Sequence, residues 1–132
     1  VDESKTNEVG GLQGTFQNIG SSLGTALIGS VLIASLTTGF LTSVNQSSLP
    51  SSTKTYINEH VTTAQIVPAS DVAKAAEAQG ATASEAQEIS GIYAESQLNA
   101  LKESVFFLVI VSVFTLAFSR NIPNRLLAST KK

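Results

Sequence analysis

From Val9 to Thr53 the chain carries no charged residue, and glycines recur at helical spacing through the first half of that run. A second charge-free run, Ser104 to Ser119, reads SVFFLVIVSVFTLAFS and is almost wholly apolar. A helix on the surface of a soluble domain needs polar cover on its outer face. Neither run supplies that cover. The architecture that satisfies both is an all-α membrane fold, two transmembrane helices joined by a long helical loop.

Charge is segregated in the same way. The formal net charge is −2. Residues 1–8 set Lys5 against Asp2, Glu3 and Glu8, while 54–103 set Lys54, Lys74 and Lys102 against seven acids. Arg120, Arg125, Lys131 and Lys132 stand in the tail without an acid. No basic cluster is interleaved with aromatics, so no nucleic-acid partner is expected. With no cysteine in the chain, disulfides and thiolate metal sites are excluded. The opening VDESKTNEVGG has neither an initiator Met nor a signal pattern, and reads as cut from a longer protein.

Placed on a helix at roughly 100° per residue, Gly10, Gly14, Gln17, Ser21 and Gly24 fall within about 40° of one line. Leu12, Phe16, Ile19 and Leu23 collect opposite them. One face is small and the other bulky. The pairs Gly10/Gly14 and Gly20/Gly24 fit the spacing that lets membrane helices approach closely. Gly10, Gly14, Gly20, Ser21, Gly24 and Gly29 are therefore the expected helix-packing residues. Gln17 and Asn18 either bond to neighbouring helices or line a substrate path. The stretch Leu23 to Leu41 is long enough to cross a bilayer core, and the turn-rich TTGFLTSVNQSSLPSS places the helix end near Gly39 or soon after.

In the acidic connection Pro68 breaks the chain, and Ser70 or Asp71 can cap a helix over about 70–79 that stops at Gly80. Thr82 and Glu85 form a capping box that opens a second helix over 83–103. There Ala94, Leu98, Leu101, Val105 and Leu108 keep a 4-3-4-3 spacing, so the helix is expected to run on into the final span. Residues 52–67 fit helix or loop. His60 has no second ligand near it and reads as a solvated histidine rather than a metal ligand. Glu77, Glu85, Glu88 and Glu95 read as a solvated face. No catalytic set, metal site or cofactor site is expected, and Gly10-Gly11-Leu12-Gln13-Gly14 lacks the context of a phosphate loop.

Arg120 and Arg125 give the second span a positive-inside flank, and Asn121-Ile122-Pro123 ends it. The expected division is a cytoplasmic entry segment at 1–9, a first span at 10–41, an extracytoplasmic loop at 42–97, a final span at 98–119 and a basic cytoplasmic tail at 120–132. The chain then sits in the cell (inner or plasma) membrane with both ends inside.

The run Gly10 to Gly29, with Gly20, Gly24, Ala26 and Gly29 in the form G-x-x-x-G-x-A-x-x-G, resembles the penultimate helix of major facilitator superfamily transporters, in particular the fourteen-helix drug:proton antiporter branch. The resemblance covers residues 9–41 and 98–123; many relatives carry a basic residue where this chain has Gln17-Asn18. It implies a C-terminal transporter segment, with the lipid bilayer, the remaining helices of the parent, a small-molecule substrate and protons as partners. Any proton-coupling carboxylate is then expected upstream, because the charge-free cores of the two spans, within Val9–Thr53 and Ser104–Ser119, hold no ionisable residue. The other reading is a small two-span membrane protein that oligomerises through its glycine face as an accessory subunit.

Overall fold

The computed structural model describes residues 3–120, with side chains from Gly10 onward. Its described part is all-α: α1 (Glu3–Gln46), α2 (Ser51–His60), α3 (Ala69–Ala78) and α4 (Ala83–Ser119). Gly39 comes against Ser96, where an added Cβ would lie 3.9 Å from the serine Cβ. One residue further along α1, Phe40 meets Tyr93, three residues back along α4. The two long helices therefore run antiparallel.

They are packed at one end only. On α1 the buried ridge advances in steps of four through Leu32, Leu36, Phe40 and Val44, the spacing that keeps side chains on one helix face. Ala86, Ile89, Tyr93, Ser96, Ala100 and Ser104 answer it from α4. The short helices close this end, α2 against α1 and α3 against α4. Leu49, Ile57 and Ala64 complete the core.

The first helix does not end near Gly39; it continues to Gln46. Stopping there would leave Phe40 and Val44 out of the core, and each buried side chain of that size is worth about 1.5–3 kcal/mol. A glycine within a helix costs only about 1 kcal/mol, so burial decides. The end is capped from outside: Lys54 Nζ donates to the carbonyl oxygens of Asn45 (3.1 Å) and Ser47 (2.6 Å), placing a cation at the negative end of α1. Asn45 and Asn58 exchange two amide hydrogen bonds, which hold α2 to α1.

Residues 52–67 divide, the first part belonging to α2 and the remainder forming a non-helical crossing. Helix α3 begins directly after Pro68 without a side-chain cap. Ser70 and Asp71 therefore lie within its first turn, Asp71 pairing with Lys74 at 3.6 Å. Gly80 has φ +93. Its N–H donates to Glu77 O and that of Ala81 to Ala76 O, a Schellman end that needs the left-handed conformation glycine adopts freely.

The Thr82–Glu85 capping box is present, and α4 runs unbroken from Ala83 to Ser119. The 4-3-4-3 stripe does not make its contact with α1, however. Leu98, Leu101, Val105 and Leu108 are all exposed, and the seam uses the smaller Ser96, Ala100 and Ser104 instead. Hydropathy marked the greasy face; close packing selected the small one. Arg125, Lys131, Lys132 and Pro123 lie outside the described residues, as does most of the basic tail.

Candidate functional site

Away from the packed end, α1 and α4 carry large apolar side chains that face outward. Phe16 is 67% exposed and Leu23 66% on α1, and Phe106 67% and Phe114 61% on α4. Both long helices, over Gly10–Gln46 and Ala83–Ser119, are long and apolar enough to cross a membrane. Their hydroxyls suit such surroundings. Thr15, Thr25, Ser30, Ser112 and Thr115 each donate to the carbonyl four residues back. The polar group is thereby satisfied within its own helix, as a water-free medium requires.

The glycines in the first half of α1 have no other element against them among the described residues. At Gly10, Gly14, Gly20, Gly24 and Gly29 an added Cβ would meet no atom within 4 Å. Ser21, Gln17 and Asn18 are exposed on the same helix. None of these residues is brought against another element among the described residues. The glycine that does face a second helix is Gly39, on the continuation of α1 into the packed end. Gly39 lies inside α1, not at its end. Its signal was the apolar four-residue ridge on either side, Leu36 and Phe40.

At the packed end a cleft of about 680 Å³ opens between α2 and α3. Its floor includes Phe40, Ile89 and Tyr93, and its walls include Tyr56, Ile57, Val72 and Ala76. The crossing 61–68 is pinned beside it. Ala64 N–H donates to Thr37 Oγ1 at 2.9 Å, Val67 N–H donates to Tyr93 OH at 3.1 Å, and Tyr93 OH donates to Gln65 O. The ring of His60 stacks on Tyr56 with centroids 4.1 Å apart, and its Nδ1 lies 2.8 Å from the Tyr56 carbonyl oxygen. Among the described residues no group of three or more His, Cys, Asp or Glu is placed to hold a metal ion.

Two of the four acids expected on a solvated face are engaged. Glu88 Oε1 accepts from Ser48 N–H (3.2 Å) and Ser48 Oγ (2.8 Å), which ties the α1–α2 turn to α4. Glu85 Oε2 accepts from Thr82 N–H and Thr82 Oγ1, both at 2.8 Å, and its Oε1 from Thr53 Oγ1 at 3.3 Å. The Thr82 backbone N–H, and after it the Thr82 hydroxyl, hold the Glu85 carboxyl below the ordinary value of 4.5. Glu77 and Glu95 are exposed.

No protein-family model, no curated protein and no solved structure matches this chain.

Proposed function

We propose that this chain is the C-terminal part of a major facilitator superfamily transporter of the drug:proton antiporter branch, exporting small, amphipathic or drug-like compounds by proton-coupled antiport. Helices α1 and α4 are its last two spans in a cell membrane, the packed end lies outside, and both chain ends are cytoplasmic. The carrying observation is the open face of α1 that holds Gly10, Gly14 and Gly24, which meet no other element among the described residues. A helix seated among other helices presents such a face, because small residues let backbones approach in lipid. On this reading Gly10, Gly14, Gly20, Ser21, Gly24 and Gly29 pack against the remaining helices. Gln17 and Asn18 turn toward the bundle or the substrate path.

The helix register bears on depth. Each long helix has 37 residues in its apolar candidate stretch, about 55 Å at 1.5 Å per residue, against about 30 Å of hydrocarbon. Roughly half must stand outside. The pairs Gly39–Ser96 and Phe40–Tyr93 bring Lys102 and Glu103 level with residues 30–33 of α1. A span over Leu23–Leu41 would put both charges near mid-membrane, whereas one over Thr15–Val31 beside Ser104–Ser119 leaves them at its edge. The register favours the latter, since charge within the hydrocarbon is costly.

The test is the intact mass of the native gene product extracted from membranes in detergent. A mass several times that of these 132 residues, with this segment at its C-terminal end, sustains the reading. A mass equal to the 132 residues alone ends it, and leaves a two-span protein that assembles through its glycine face.

A further inference from the structure

The packed end has a cavity whose shape and chemistry are independent of any transport cycle. Helix α2 lies on α1 and α3 lies on α4, but α2 and α3 do not contact each other through their backbones. They are held apart by the floor on which both rest, and one hydrogen bond crosses between them, from Tyr56 OH to Gln79 Oε1 at 2.9 Å. We infer that the cleft between α2 and α3 binds an uncharged aromatic small molecule that carries a hydrogen-bond donor.

Size comes first. A volume of about 680 Å³ lies within the roughly 300–1,000 Å³ of small-molecule sites, which are mainly apolar and carry a few placed polar groups. Tyr56 is 41% exposed although it lines the cleft. The Tyr56 ring stacks on His60 with one face, and its other face is the kind of surface on which a planar guest stacks.

The polar groups set the charge. Among the described residues no lysine or arginine lines the cleft, so no such cation there would neutralise an anion. The one carboxylate at the rim, Glu85, already takes three hydrogen bonds from Thr82 and Thr53. Its oxygens are already taken up in the helix cap, so a cationic guest would have to compete with Thr82 and Thr53 for them. The Tyr56 oxygen, having donated its proton to Gln79, retains lone pairs to accept from a guest. An uncharged aromatic donor is the complement of this set.

The experiment is photolabelling of the whole chain in lipid nanodiscs with 4-aminobenzophenone, which is uncharged, aromatic, photoreactive and carries N–H donors. Adducts are mapped by peptide mass spectrometry. The expected result is saturable labelling of the peptides holding Tyr56 and Ala76, reduced by about tenfold or more when Ala76→Phe fills the cleft, which corresponds to about 1.4 kcal/mol of lost affinity. Amide protection at Ala64 and Val67 checks that this variant keeps its fold. Tyr56→Leu, which removes the ring and hydroxyl of an exposed residue, lowers the same adducts and serves if Ala76→Phe unfolds. Adducts spread over Val105–Phe118 in proportion to exposure, or no labelling of the cleft, would overturn the assignment. So would cleft labelling indifferent to both substitutions.

Discussion

The ring of Phe40 on α1 meets the ring of Tyr93 on α4 edge to face, with centroids 5.8 Å apart and planes at 78°. The same tyrosine's hydroxyl holds Gln65 O and Val67 N–H of the crossing segment. One side chain thus joins the two long helices to each other and fastens the segment that closes over them. The ring supplies apolar burial, and the hydroxyl satisfies a backbone stretch that has no helix of its own.

Tyr93→Phe separates these two roles. The phenyl ring keeps the contact with Phe40, while Gln65 O and Val67 N–H lose their partner. An unpaired buried backbone group costs about 1–3 kcal/mol, and these two, being only part-buried, are expected to cost less. Hydrogen exchange is expected to quicken at the Val67 amide and to stay unchanged at Ala64, whose N–H donates to Thr37 instead. Equal loss of protection at both amides would show that the crossing opens as one unit.

Acid should loosen the start of α4. The Glu85 carboxyl titrates below 4.5 in the folded chain because Thr82 donates to it from backbone and side chain. The group binds its proton more weakly folded than unfolded. Its contribution is therefore fully present above the unfolded value near 4.5 and is lost as pH falls through the lower folded one. In Glu85→Gln the loss of protection over that interval is expected to flatten, measured as amide exchange in the Thr82–Ala86 turn. An unchanged acid profile in the variant would assign the loss to another group.

The elements were legible wherever local chemistry alone decides them. The Schellman turn at Gly80 and the capping box at Thr82–Glu85 rest on residues within one turn of each other, so short-range pattern suffices. The unbroken course of α4 followed from continuous apolar spacing. The seam was not legible, because α4 bears two candidate faces. The larger one, Leu98, Leu101, Val105 and Leu108, turns outward. Ser96, Ala100 and Ser104 form the contact, their hydroxyls satisfied by Ile92 O and Ala100 O within the helix. The cleft was illegible for the same reason: it depends on how far apart two short helices are held, and no local pattern encodes that distance.

Depth in the membrane can be read with single cysteines, since the chain has none of its own. Thr25 and Thr38 are both exposed on α1. If the register sets depth, a membrane-impermeant maleimide added from outside modifies Thr38→Cys readily and Thr25→Cys hardly at all. A span over Leu23–Leu41 would shield both. Labelling at Thr38 alone therefore distinguishes the two placements, and labelling at both would remove the membrane reading of α1.

Gly24 and Gly39 make opposite predictions although both are glycines on one helix. At Gly39 a Cβ would sit 3.9 Å from Ser96 Cβ, which is ordinary contact. Gly39→Ala is thus expected to stabilise the hairpin by up to about 1 kcal/mol through helix propensity. Gly39→Leu is expected to cost about 1–3 kcal/mol by forcing the helices apart. At Gly24 nothing among the described residues lies within 4 Å of an added Cβ, so Gly24→Leu is expected to leave the hairpin's packing intact and to raise its helicity slightly through helix propensity. Its disruptive effect is expected only where α1 meets a neighbour from outside the chain. If the chain belongs to a transporter as proposed, that means loss of export at normal membrane levels. If Gly24→Leu exports normally, the glycine face has no such neighbour during transport, and the open row of glycines loses its functional meaning.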